Sequence, residues 1–304
     1  MTTLPLHERL RGIVTVLNTP FSADDQIDHA ALAAHTRRAV DAGIAGILYP
    51  AMASEVLALT ETERDAAVQT VLAAADRRVT VIGGASAAES AERARHAARL
   101  TELGCDGVLV SIPYESDADY TAAVRAVAAV EPGFLMLQDW ASGDYGLPVP
   151  LIVRLFDAIP AFQSLKIEVV PAGVKYSEVL HATDGRLHIA GGWAVMQMIE
   201  ALDRGVHTVM PTAMHPIYTH IDRLYRGGDR EAAQRLFRRV LPVLAFSNQH
   251  LDISIHFFKR LLWRQGIYPT SNVRAPVLPF DDHHARSADD LIDLVLALET
   301  ELGA

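Results

Sequence analysis

Val79-Thr80-Val81-Ile82, followed by the segment Ser90–Leu103 and then Gly107-Val108-Leu109-Val110, is the stretch from which the architecture is read. Two short β-branched runs flank an Ala-rich, charged segment whose apolar residues recur at helical spacing. That is the pattern of one βαβ unit, and hence of a parallel sheet. Gly83-Gly84-Ala85-Ser86 reads as a plain βα turn, with anion binding at the next helix as the alternative.

The same alternation extends in both directions. Upstream lie the runs Ile13–Leu17 and Gly46–Tyr49; downstream lie Phe134–Leu137, Ser164–Ile167, Leu187–Ala190 and His207–Met210. Helical patterns over His29–Ala42, Thr60–Ala75 and Asp117–Val130 fill intervening positions. Eight strands alternating with helices predict an α/β protein with a closed (β/α)8 TIM barrel. An open doubly wound sheet is the rival, but no strand is followed by GxGxxG or GxxxxGK[ST]. After the eighth run only helical patterns remain, at Pro216–Tyr225, Asp229–Ala245, Ile253–Gln265 and Ala288–Leu302. The expected division is a barrel over 1–227 and a C-terminal helical subdomain over 228–304.

Composition narrows the function. Against 37 Asp and Glu stand 27 Lys and Arg, a net charge of -10, which repels phosphate backbones and argues against nucleic acid and anionic membrane as partners. Cys105 is the lone cysteine, so an intrachain disulfide or a CxxC motif is impossible and a reducing cytoplasm is expected. Met1–Arg11 lacks the apolar run of a signal peptide, and no later stretch reads as a membrane span. The 13 histidines invite a metal, yet His215 and His220 do not stack on one helical face, His283-His284 lies in a polar loop before the last helix, and HExxH is absent. No metal or organic cofactor is expected.

In such barrels chemistry gathers at the C-terminal ends of the strands. The sixth run continues as Phe162-Gln163-Ser164-Leu165-Lys166-Ile167-Glu168, which sets a lysine inside an apolar strand. Alternation puts Lys166 and Glu168 on one face and Leu165 and Ile167 on the other. If the first face is interior, desolvation favours the neutral amine, the nucleophilic form. The alternative is a strand-end lysine that snorkels to solvent, paired with Glu168. The second strand ends in Tyr49-Pro50-Ala51-Met52-Ala53-Ser54-Glu55. Its small side chains let a ligand approach the backbone at Ala53, and Ser54 and Glu55 are candidates for carboxylate binding and proton transfer or, equally, a helix cap. Gln138 and Asp139 after the fifth strand, Tyr114 after the fourth, Gly192 and Trp193 after the seventh and Met210 at the eighth complete the candidate set.

Together these strand ends resemble the dihydrodipicolinate synthase and N-acetylneuraminate lyase family. The opening Gly12–Phe21, the loop ending in Glu55, the Pro113-Tyr114 pair, the strand-six lysine and the glycines after strand seven fall in that family's order. The resemblance implies that Lys166 condenses with the keto group of a small 2-oxo acid, in a homotetramer or homodimer. Met52, Ala53 and Ser54 replace the family's two threonines and glycine, and its proton-relaying tyrosine aligns with Leu137. These departures argue against dihydrodipicolinate synthase activity. The loop Ala51–Glu55, Gln138-Asp139, Lys166–Glu168 and Trp193 look instead like a 2-keto-3-deoxy-L-arabonate dehydratase subgroup. A dehydratase or aldolase acting on a 2-oxo-3-deoxy sugar acid is therefore expected. A synthase-like condensation of pyruvate with an aldehyde, or a non-catalytic 2-oxo acid-binding homologue, is the alternative.

Overall fold

A computed structural model describes residues 4–141, 145–192 and 195–303. Eight parallel strands follow one another in chain order as a closed barrel: β1 (Gly12–Val16), β2 (Gly46–Leu48), β3 (Thr80–Gly84), β4 (Gly107–Ser111), β5 (Leu135–Trp140), β6 (Phe162–Glu168), β7 (His188–Gly191) and β8 (Thr208–Val209). The expected (β/α)8 architecture is the observed one. Among the described residues the helices are α1 (Leu6–Arg9), α2 (His29–Asp41), α3 (Glu61–Ala75), α4 (Ser90–Leu103), α5 (Asp117–Ala128), α6 (Val149–Ala158), α7 (Ala172–Ala182), α8 (Met198–Asp203), α9 (His215–Arg226), α10 (Arg230–Ser247), α11 (Leu251–Arg264) and α12 (Asp282–Glu301).

The chain divides into two compact units, one of residues 1–12 with 80–210 and the other of 13–79 with 211–304. The first holds β3 to β8 with α1 and α4 to α8. Its strands are buried on both faces, so Val108, Val110, Leu135, Leu137, Leu165 and Ile167 read as near-continuous apolar runs. The second unit groups the first two βα repeats with the C-terminal helices, and α9 packs on α10, α10 on α11.

Local chemistry sets the helix ends. Thr60 and Glu63 form a reciprocal cap on α3: the Thr60 hydroxyl accepts from Glu63 N at 3.2 Å, and Glu63 Oε2 accepts from Thr60 N at 2.9 Å. Asp28 caps α2 in the same sense, accepting from Ala31 N. The last helix corrects the sequence reading, which begins it at Ala288. Asp281 accepts from His284 N at 2.9 Å, so α12 starts at Asp282 and His283-His284 lies in its first turn rather than in a loop.

Several histidines are core residues. In the second unit His35 and His215 stack with Nε2 atoms 3.0 Å apart, and His35 Nδ1 meets the Tyr268 hydroxyl at 2.9 Å. Tyr268 Oη donates to Asn18 O, so His35 Nδ1 must be the donor to it and His35 Nε2 the acceptor from His215. In the first unit His188 stacks on His207 and meets Ser164 Oγ at 2.7 Å. Burial, and secondarily His215, holds His35 well below the usual imidazole range; burial, then His207, does the same to His188. Burial pulls His215 down to about 3. The unfolded chain takes up these protons at about pH 6.5, whereas the folded chain resists until far lower, so acid favours unfolding. Each such histidine is expected to remove about 1.4 kcal/mol of stability per pH unit below about 6.5. Denaturant titrations should give a midpoint that falls from about pH 6.5 to about pH 5, with a shallower fall for His188→Asn. An unchanged midpoint across that range contradicts this assignment.

Candidate active site

Parallel register decides which side chains of β5 meet those of β6. Gln138 pairs with Lys166, Trp140 with Glu168, Leu137 with Leu165 and Asp139 with Ile167. Because faces alternate along each strand, Gln138, Lys166 and Glu168 share one face and Leu137 shares the other with Leu165. Leu137, the position aligned with the family's tyrosine, therefore faces away from Lys166, and the β5 residue paired with the lysine on its own face is Gln138.

Lys166 is only 7% exposed, and its Nζ lies 3.1 Å from Glu168 Oε1. It is thus paired with Glu168, as the alternative reading has it, but buried rather than snorkelling. The Gln138 side-chain amide donates to Glu168 Oε2, so the carboxylate is held between the lysine and the glutamine. Gly192 completes the slot: a Cβ there would overlap the Glu168 carboxylate where it now stands. Met210 is buried beside it, its N–H donating to Gly191 O at 3.0 Å. Trp193 lies outside the described residues. Tyr114 is exposed and turned to α5, donating to Asp117 Oδ1 at 2.7 Å.

Asp139 faces away from Lys166 and is also buried. Lys175 Nζ of α7 stands 2.5 Å from its Oδ2 and donates to Tyr145 O, while Leu147 N donates to Asp139 Oδ1 at 2.9 Å. Gly146, at φ +66°, passes where a Cβ would strike that carboxylate. This geometry ties the chain at 145–147 to α7.

The second unit carries the loop after β2, which winds through two 3-10 turns, Met52–Ser54 and Val56–Ala58. Its carbonyls are tied to the end of β1: Asn18 Nδ2 donates to Ala53 O at 2.8 Å and the Thr19 hydroxyl to Ser54 O at 2.7 Å. Ser54 Oγ donates to Leu17 O at 2.5 Å and accepts from Ala51 N at 3.0 Å, so its hydroxyl fastens the loop. Glu55 sits in left-handed backbone at φ +58°. Its Oε2 accepts from Lys259 Nζ of α11 at 2.6 Å and its Oε1 from Arg274 N at 2.8 Å. Burial pushes the Glu55 carboxyl up against the opposing pull of Lys259, and burial pulls Lys259 down to about 8.

Lys175 and Lys259 escape the sequence reading, although a signal for both is present. Lys166, Lys175 and Lys259 are the only lysines in the chain, every other cationic side chain of the 27 being arginine. All three are buried, and each is paired with a carboxylate. Lys175 also sits at core spacing with Ala172, Tyr176 and Val179 on α7. Among the described residues no three His, Cys, Asp or Glu side chains converge as a metal site would require.

Breaking one buried pair from one side strands the other charge. Lys175→Met is expected to cost about 3–5 kcal/mol in denaturant unfolding, and Lys175→Met with Asp139→Leu far less. Additive losses in the double variant would show that the two side chains do not act as a pair.

Residues 9–294 match the dihydrodipicolinate synthetase family. An uncharacterized DapA-like lyase of Halobacterium salinarum is 36% identical over 126 residues, and the matched stretch covers 40% of this chain and 41% of that protein. The chain thus spans about two fifths of the length of the first such relatives. Longer alignments are weaker. An L-2-keto-3-deoxyarabonate dehydratase of Azospirillum brasilense is 26% identical over 88% of this chain and 89% of its own. A 4-hydroxy-tetrahydrodipicolinate synthase of Xanthomonas campestris is 26% identical over 95% and 96%. A crystal structure of a putative dihydrodipicolinate synthetase from Pseudomonas aeruginosa superposes with a TM-score of 0.85 at 25% identity, covering 94% of this chain and 99% of that one. The dihydrodipicolinate synthase of Rhodopseudomonas palustris shares the fold with a TM-score of 0.87 at 22% identity, over 96% and 100%. By the extent of the family match, this chain belongs to the dihydrodipicolinate synthetase family.

Proposed function

We propose that this protein is a lyase in which Lys166 forms a Schiff base with a 2-oxo-3-deoxy sugar acid, and that it acts as a dehydratase or aldolase in the cytoplasm as a homodimer or homotetramer. The observation that carries the reading is the buried Lys166–Glu168 pair, with Gln138 on the same face.

The chemistry follows from the face those three residues share. Glu168 Oε1 is within reach to take a proton from the Lys166 ammonium, which frees the amine to attack the C2 carbonyl. Glu168 returns that proton to the carbinolamine hydroxyl, which leaves as water and gives a protonated imine, with Glu168 ionised again. That imine is an electron sink, so the C3 proton departs to Glu168 and an enamine forms. In the dehydratase course the enamine pushes out the C4 hydroxyl, which leaves as water with the proton Glu168 carries. In the aldolase course the C3–C4 bond breaks from the imine instead, with the C4 hydroxyl proton passing to a base and the aldehyde departing. In the aldolase course the enamine left behind is first protonated at C3, and hydrolysis of the imine then returns Lys166 in either course. The electron sink is the imine formed on Lys166, so these steps call on neither metal nor organic cofactor.

Gln138 lacks the acidic hydroxyl that a tyrosine relay supplies, which favours Glu168 as the proton carrier and disfavours synthase-type condensation. The 26% identical relative named as an L-2-keto-3-deoxyarabonate dehydratase supports the sugar-acid reading.

Stereoisomers of 2-keto-3-deoxypentonate should be offered to the wild type, Lys166→Ala and Glu168→Gln, with 2-oxoglutarate semialdehyde and pyruvate measured separately. Semialdehyde marks dehydration and pyruvate marks aldol cleavage. Lys166→Ala is expected to abolish turnover, and Glu168→Gln to lower kcat by roughly 10²–10⁴. Turnover that survives in Lys166→Ala overturns the reading.

A further inference from the structure

We propose that Gln138 is a positioning residue: its side-chain amide fixes the Glu168 carboxylate so that one oxygen, Oε1, carries the protons of the reaction, and Gln138 itself touches no reacting atom. The role rests on the Schiff-base reading above and lies wholly within the first unit.

Three contacts hold the carboxylate. Gln138 is level with Lys166 in the register of β5 on β6 and stands on the same face, and its amide nitrogen donates to Glu168 Oε2. Lys166 Nζ lies 3.1 Å from the other oxygen, Oε1. The Gly192 backbone closes a third side, where an added Cβ would meet Oε1, Cδ and Cγ. Only 12% of the Glu168 side chain is exposed, so these contacts rather than water set its orientation.

The amide makes the two oxygens unequal. An amide N–H only donates and an ionised carboxylate oxygen only accepts, so the bond holds while Oε2 carries no proton. A proton on Oε2 would set donor against donor in a largely buried site. The proton is therefore confined to Oε1, the oxygen already turned to Lys166. There the lysine nitrogen, the carbinolamine hydroxyl and C3 of the imine must each meet it.

Lys166 cannot do this holding by itself. Its ion pair with Glu168 is lost whenever the proton passes to the carboxylate and the nitrogen turns to C2 of the substrate. The bond from Gln138 involves no group that changes covalently, so it persists through the cycle. Without it, the carboxylate is free to swing, and the short distance that proton transfer requires is no longer fixed.

Among the described residues, the titratable groups that act on Glu168 are Lys166 of its own strand and Tyr176 of α7, whose hydroxyl is raised above its ordinary range by burial and then by Glu168. From β5 and the end of β7 it meets Gln138 and Gly192, neither of which titrates. A carboxyl introduced at position 138 is thus the one new charge in these surroundings.

The test uses pyruvate as the smallest 2-oxo acid and takes two readings on wild type, Gln138→Leu and Gln138→Glu. One is borohydride trapping against pyruvate concentration; the other is exchange of the pyruvate methyl protons in D2O, followed by NMR. Exchange requires the C3 proton of the imine to pass to Glu168, be replaced from solvent and return, so it reports on the carboxylate. Gln138→Leu is expected to slow exchange roughly 10–100-fold, with half-saturation in trapping within about twofold of wild type. Gln138→Glu supplies an O–H donor of the same shape as long as the two neighbouring carboxyls share a proton, which they hold to higher pH than either does alone. Its exchange should match wild type in mildly acid solution and fall about tenfold or more, relative to wild type at the same pH, once that proton is lost. Wild-type exchange in both folded variants, or a Gln138→Glu ratio that is flat with pH, overturns the positioning role. Half-saturation that rises in step with the loss of exchange makes Gln138 a substrate contact and overturns it as well. A wild type that traps pyruvate without exchanging its protons removes Glu168 as the carrier, and the part of Gln138 with it. A wild type that traps none overturns the Lys166 reading first.

Discussion

An ammonium group taken out of water is tolerated only with an anion beside it, because the desolvation penalty of an unpaired buried charge runs to several kcal/mol. This chain takes all three of its lysines out of water and meets each with a carboxylate: Lys166 with Glu168, Lys175 with Asp139, Lys259 with Glu55. Arginine alone serves where charge faces solvent, as in the pairs of Arg239 with Glu301 and of Arg226 with Asp222. The three buried pairs fix the strand ends and loops that carry every polar candidate for chemistry other than Tyr114 and Trp193.

The pairs differ in what surrounds them, and so in what they are able to do. Asp139 is spent on Lys175, Tyr145 and Leu147 contacts that hold a connection in place, and it faces away from Lys166. Glu55 is spent on Lys259 and Arg274. Glu168 alone shares a face with a lysine on its own strand and is reached by a neutral amide, Gln138. An amide orients the carboxylate without adding charge.

The barrel was legible because strand and helix periods differ and because parallel strands buried on both faces read as apolar runs. The eight runs expected from the sequence overlap β1 to β8 within a residue or two at most ends. Element ends were less legible, since they depend on single capping contacts: Asp281 starts α12 six residues before Ala288. Lys166 and Glu168 were legible from alternation alone. That Gln138 rather than Leu137 faces Lys166 was less legible, because it depends on the pleat, where one residue exchanges the faces. Lys175 and Lys259 are absent from the sequence reading because their partners lie 36 and 204 residues away, on elements that only tertiary packing brings together.

Reduction with borohydride in the presence of pyruvate, followed by peptide mapping, tests the central claim most directly, since only three lysines are available to carry an adduct. The account predicts a single reduced pyruvyl adduct, on the peptide that contains Lys166, and none on Lys175 or Lys259. No adduct, or one on either of the other two lysines with Lys166 unmodified, would contradict it.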